Sequence, residues 1–280
     1  SLFMFATGLG LFIYTLEIGH DLFWFESANV RVQMGVSILL IALAVTHQST
    51  TKNPLIPFSL LINPRLMPIF LTSFSMGIAV YGFMYLVPFY LVQAHGASPK
   101  EVMYILMYSA IPQALLLPLF IKLRDNVPSQ ILIVFGSILM TFAMYQLSFV
   151  NPLFFDDEFI LPQFFRAIGV PLCILSLSII FLHKSKDDEV SGASTLISLS
   201  RALGGALSIA MATAFVQYRH SSYQQNQFGV AQGSQNDNAL WHYAFSDMFS
   251  CLGLFFLFLT CVLILQAVHG RYQQRALAPH

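Results

Sequence analysis

Two arginines stand inside apolar runs of this 280-residue chain, and a guanidinium in such a place has few uses. Arg201 is the one ionisable residue between Thr195 and Val216, and Arg166 sits in the run FFRAIGVPLCILSL. An always-charged planar fork pairs with an anion, biases the protonation of a nearby acid, or bonds to carbonyls and hydroxyls of a packed helix. At helical spacing Leu196, Leu199, Leu203 and Leu207 line one side of the Arg201 stretch, while Ser194, Ser198, Gly204, Gly205, Ser208 and Ala212 surround Arg201 on the other. Small side chains let a second helix approach closely, which makes Ser200, Gly204, Gly205 and Ser208 helix-packing candidates. Arg166 lies about 10 Å below the end of its stretch at 1.5 Å per residue. From there it either snorkels to Asp156, Asp157 or Glu158 or serves a pathway. Further pathway candidates are Gln113 beside Pro112, Gln163, and the rings of Tyr81 and Tyr85. Those two tyrosines belong to an aromatic group with Phe74, Phe83, Phe89 and Tyr90 that faces core and lipid or lines a pocket for flat apolar compounds.

Catalytic signatures do not emerge. The eight histidines stand in loops or at the ends of apolar runs, without HxxxH or HExxH spacing or a cysteine partner, which argues against a metal site. There is no phosphate-binding GxxxxGK[ST] loop and no GxSxG, and nothing calls for a cofactor. Cys173, Cys251 and Cys261 lie in apolar runs and read as small core hydrophobes.

The elements that must hold these residues are membrane helices. The chain is 56% hydrophobic and 9% charged, with a positive mean hydropathy, which excludes an ordinary soluble domain and makes the lipid bilayer its solvent. Thirteen basic and thirteen acidic side chains balance, so nothing points to a nucleic-acid partner. Eight apolar stretches stand out, at 1–16, 31–46, 66–92, 101–123, 128–149, 159–182, 192–216 and 243–268. Each is continuous rather than alternating, which predicts helices and not barrel strands. Pro112 and Pro118 free backbone carbonyls in the fourth, as in bent helices that line a pathway or in a kink satisfied by a neighbouring serine or water, and the chain from Gln217 to Tyr243 reads as a long polar loop.

One set of helix ends holds Lys52, Arg65, Lys122, Arg124, Lys184, Lys186, Arg271 and Arg275, and the other only Arg31, Lys100 and Arg219. The first set is therefore cytoplasmic, and both termini fall on that side. A cysteine introduced at Ser185 is expected to be shielded from an impermeant external thiol reagent, and one at Ser234 to be labelled. Reversed labelling would overturn this orientation. Phe23, Trp24 and Phe25 suit an outer aromatic belt, and Pro54, Pro57 and Pro64 predict a short segment along the inner interface. No acid lies mid-membrane, since Glu17 and Asp247 are both near the outer surface.

The run SLSRALGGALSIA, entered through EVSGAST and left through QYRH, resembles the penultimate span of the fourteen-span drug:proton antiporters of the major facilitator superfamily. The GLG-rich first stretch, the NP-hydrophobic-L-R linker before Met67 and the LPQFFRAIGVP segment are similar to the same family. This resemblance implies an all-α polytopic bundle: two linker spans within residues 1–65, then a six-helix C-terminal half over residues 66–280. It also implies a secondary transporter, not an enzyme, that exports drugs or other small amphipathic compounds by alternating access. Its implied partners are the small-molecule substrate, protons, an N-terminal half of the same protein that carries most proton-binding acids, and a periplasmic adaptor. Two arginines without a buried acid also suit an exporter of an anionic metabolite or siderophore. An eight-span scaffold subunit or a membrane-embedded enzyme are the alternatives from other classes.

Overall fold

A computed structural model describes residues 2–18, 27–50, 60, 63–64, 66–149, 157–184, 190–226 and 234–276. Eight helices account for most of these: α1 (Leu2–Ile18), α2 (Ala28–Thr50), α3 (Met67–His95), α4 (Pro99–Asn126), α5 (Ser129–Leu147), α6 (Asp157–Lys184), α7 (Val190–Asn226) and α8 (Ser234–Ala276). Seven of them are long and apolar enough to cross a membrane, and α1 contributes the shorter apolar helix Phe3–Thr15. The chain is thus a polytopic helical bundle. The expected aromatic turn around Trp24 and most of the segment from Pro54 to Pro64 lie outside the described residues.

In hydrocarbon every backbone polar group must be satisfied within its own segment, and hydroxyls inside the spans follow the same rule. Thr15 donates to the Leu11 carbonyl at 2.6 Å, Thr72 to Pro68 at 2.7 Å, and Thr260 to Phe256 at 2.8 Å. These threonines therefore sit in apolar helices without orphaned donors, whereas the buried hydroxyls of Ser176 and Ser208 have no partner among the described residues. Prolines are accommodated as well: Pro88 lies within α3, Pro112 and Pro118 within α4, and Pro162 and Pro171 within α6. Between α3 and α4 the chain turns at Gly96, whose φ of 63° belongs to the left-handed region that side chains avoid. Ser98 then caps α4 in a reciprocal capping box with Glu101, its backbone nitrogen donating to Glu101 Oε2 at 2.7 Å.

One expectation is corrected here. The stretch from Gln217 to Tyr243 is mostly helix, because α7 continues to Asn226 and α8 begins at Ser234. Its polar side chains find partners across that helix pair: Arg219 Nε donates to Asp247 Oδ2 at 2.7 Å, as does the Tyr223 hydroxyl, and His220 stacks on Trp241 at 3.8 Å. Low hydropathy marked the end of the lipid-embedded part, not the end of the helix.

The helices form two compact units, Ser1–Gly82 with Phe181–Ala214, and Phe83–Ile180 with Phe215–His280. In the first, α1 lies against α2 at Gly8, where a Cβ would come within 2.9 Å of Leu40 Cβ. The first half of α3 lies against α7. In the second, α5 runs along α8 through Thr141 and Thr260, whose hydroxyls are 3.4 Å apart. There α5 also meets α6 at a glycine pair: a Cβ on Gly136 or on Gly169 would stand 2.9 Å from the other's carbonyl oxygen. Lipid tails are as apolar as leucine, so such close approach, not water exclusion, holds the spans together.

Candidate functional site

In the unit built on α3 and α7, the organising contact is made by backbone. A Cβ at Gly77 would overlap the Arg201 carbonyl, one at Gly204 the Phe74 carbonyl, and one at Gly205 would lie 2.7 Å from the Tyr81 ring. Ser73 Oγ completes the seam by donating to the Ile197 carbonyl at 2.9 Å. The buried face of α7 takes in Leu196 and Ile197 with Gly204, Gly205 and Ser208, and leaves Ser194 and Ser198 exposed. This differs from the two faces drawn from spacing, because the position of α3 decides which stripe is covered. Ser200 and Arg201 are half-buried at the edge of the seam. Arg201 Nε is buried without a hydrogen-bond partner, as is the Ser208 hydroxyl, so the packing runs through the main chain while the guanidinium is left to other uses.

The other unit holds a second polar site. Arg166, on α6, is buried: its Nη2 donates to the Ser109 hydroxyl on α4, and its guanidinium lies 5.3 Å from the centre of the Phe83 ring on α3. A desolvated cation over an aromatic face is stabilised by about 2 kcal/mol. Arg166 Nε nevertheless has no partner, and among the described residues no carboxylate pairs with the side chain. Gln163 lies almost one turn earlier on the same helix, is fully buried, and leaves both its amide nitrogen and its oxygen unpartnered. Buried polar groups of this kind are scarce, since each costs about 1–3 kcal/mol. Gln113 is half-buried one turn beyond Ser109 on α4. α4 thus supplies the hydroxyl bonded to Arg166, with Gln113 one turn along it, and α6 carries Gln163 on the same side as Arg166.

Not all of the sequence candidates gather there. Tyr81 lies against Gly205 in the first unit, and Tyr85 pairs with Phe89 at 5.3 Å in the second. Ser109 escaped sequence reading because a serine in a span is ordinary, and Phe83 stood out only as one of a group of aromatics. Only a guanidinium brought from 57 residues away gives Ser109 its meaning.

A buried cation inside a helical membrane bundle, beside polar groups without partners, is the kind of feature that marks a substrate or ion pathway. Comparison with known proteins gives such a bundle a particular address. No family model matches the chain. It is 27% identical over 214 residues to the colistin resistance protein EmrB of Acinetobacter baumannii, covering 75% of this chain and 41% of that protein. It is 25% identical over 210 residues to the probable multidrug resistance protein EmrY of Escherichia coli K12, covering 74% and 41%, and 22% identical over 223 residues to the fatty acid resistance protein FarB of Neisseria gonorrhoeae, covering 79% and 44%. The resemblance to drug antiporters is borne out, and the chain spans about two fifths of the length of the curated relatives it matches. With seven helices of membrane length among the described residues, it is a multi-pass protein of the inner membrane.

Proposed function

We propose that this chain is the C-terminal part of a proton-coupled exporter of drugs or other small amphipathic compounds that works by alternating access. In this reading residues 1–65 are the two linker helices and residues 66–280 the six-helix half. An N-terminal half of the same protein supplies most of the proton-binding acids, and a periplasmic adaptor receives the substrate. The observation that carries it is the Arg166 site: a buried guanidinium with a free Nε beside the unpartnered amide of Gln163. Groups left unsatisfied in the resting protein are available to a ligand. Arg166, Gln163, Gln113 and Tyr85 are assigned to that pathway, and Arg201 and Tyr81 to the coupling helix pair, with Ser200, Gly204, Gly205 and Ser208 forming its packing seam.

One observation favours a narrower reading beside the broad one. Among the described residues Arg166 has a hydroxyl and a ring as neighbours and no paired acid, which suits an amphipathic carboxylate as cargo, and one relative is named for resistance to fatty acids.

The test is transport of a lipophilic dye and of an amphipathic carboxylate into everted membrane vesicles that contain the full-length protein. Arg166→Gln is expected to leave membrane abundance unchanged and to lower carboxylate transport about tenfold, the loss of roughly 1.4 kcal/mol of charge-assisted contact. Gln163→Leu should weaken transport of both substrates, because it removes the amide while filling the same space. Parental transport of both by both variants would remove this site from the pathway.

A further inference from the structure

The second unit contains a cluster of titratable side chains that the pathway does not use. Tyr90 on α3 is buried to 1% exposure, its ring held among Phe159 of α6 and Phe245 and Phe249 of α8 at centroid distances of 5.8, 5.3 and 6.1 Å. Its hydroxyl sits between two imidazoles: the oxygen is 2.9 Å from His242 Nδ1 and 3.1 Å from His95 Nε2. His95 closes α3 and His242 lies in the early turns of α8. The Lys/Arg bias places both at the outer end of the bundle.

We infer that Tyr90, His95 and His242 form a proton-binding site that holds one proton, shared between two imidazoles through the phenol oxygen. A hydroxyl has one hydrogen and two lone pairs, so it can donate to one ring nitrogen while accepting from the other. When His242 carries the added proton, Nδ1–H donates to the Tyr90 oxygen and the Tyr90 hydrogen goes to a bare His95 Nε2. When His95 carries it, the same two bonds run in reverse. Passing the proton across requires only that each hydrogen move along the bond it already occupies, with no change in atom count or net charge. A second proton is resisted, because both nitrogens would then donate into one oxygen, the phenol hydrogen would lose its acceptor, and two positive rings would face each other at short range.

The surroundings fit a single positive charge. Among the described residues, Glu158 of α6 is a carboxylate close enough to act electrostatically on both Tyr90 and His242. From α7, His220 reaches this end through its stack on Trp241, the residue before His242. Fixed phenylalanine packing keeps the phenol oxygen in place between the rings. Under the export reading, on which only its role in transport rests, the site loads a proton from the outer side in a chain that has no acid mid-membrane.

Histidine-selective NMR on the full-length protein in lipid nanodiscs tests the site without transport, with His95→Gln and His242→Gln assigning the signals. The two imidazoles are expected to titrate in two steps more than about one pH unit apart. Tyr90→Phe, which keeps the ring packing and removes the oxygen, should bring the steps together. Two independent titrations that Tyr90→Phe leaves unmoved would overturn the proposal. Should Tyr90→Phe fail to fold, His242→Gln gives the same decision: His95 then titrates in one step with a displaced midpoint, and an unmoved midpoint overturns the site. Coupled titration supports the site even where no variant exports a dye, an outcome that would count against the export reading alone.

Discussion

Gly204→Leu is expected to lower the folded protein recovered from membranes by more than any other single substitution in the α3–α7 unit. A Cβ at Gly204 would overlap the Phe74 carbonyl, with the carbonyl carbon at 3.0 Å and Ile78 nitrogen at 3.2 Å. Both neighbours are backbone atoms of a helix, so neither can turn aside as a side-chain tip would. The helices must separate, and in lipid no water-driven force returns them. Even Gly204→Ala is expected to destabilise by about 1–3 kcal/mol, with leucine well beyond that. Gly10→Ala and Gly35→Ala, where nothing lies within 4 Å of the new methyl group, are the controls and should keep parental levels. Gel filtration of the detergent-solubilised, fluorescently tagged full-length protein reads the outcome. A Gly204→Leu protein as monodisperse and abundant as the parent would mean that the seam does not hold these helices together.

At Arg201 the expected effect is as large but falls on activity rather than folding. The main chain of this residue packs on Gly77, whereas its guanidinium makes no hydrogen bond to the described residues and keeps a buried, unpartnered Nε. Arg201→Ala retains the backbone contact and removes an inserted charge that costs about 2.5–3.5 kcal/mol at mid-membrane, so abundance should hold or rise. Transport should fall at least tenfold if the charge acts on an acid of the N-terminal half, because a nearby cation moves a carboxyl pKa by about 1–3 units. The sign is definite: Arg201 favours the charged carboxylate and lowers its pKa, so its removal shifts the pH optimum for efflux upward. Arg201→Lys keeps the charge without the planar fork and should transport partially, near the parental optimum. The experiment compares membrane abundance with efflux across pH for both variants. If the alanine variant is scarce and the lysine variant equally so, the side chain serves packing; if both match the parent in abundance and pH profile, it serves neither purpose.

Much of the architecture was legible in the residues themselves. Helix positions followed from apolar run length, because a bilayer of fixed thickness leaves a spanning segment little choice but a helix of about 20 residues. The burden on Arg166 and Arg201 was equally visible, since a charge in an apolar run is conspicuous whatever the fold. Helix ends were less legible: α7 and α8 extend past their apolar portions because polar residues continue a helix readily once it leaves lipid. Hydropathy reports the solvent, not the hydrogen-bond ladder.

Partners were another matter, because contact between spans depends on which faces meet. Spacing showed that α7 has a small-residue face; only the path of α3 showed that Gly77 fits the Arg201 carbonyl and that Leu196 is covered while Ser198 is not. Arg166 has acids a few residues away in sequence, but its contacts with Ser109 on α4 and Phe83 on α3 could not be read from that spacing. His95 and His242 are unremarkable span-end residues until packing brings α3 and α8 together over Tyr90, 152 residues from its second imidazole. One-dimensional composition determined that this chain lives in a membrane as helices, because lipid acts on every residue alike. Which polar groups are satisfied, and which are left without a partner, was decided by tertiary structure alone, because a hydrogen bond depends on where two atoms lie and not on what each residue is.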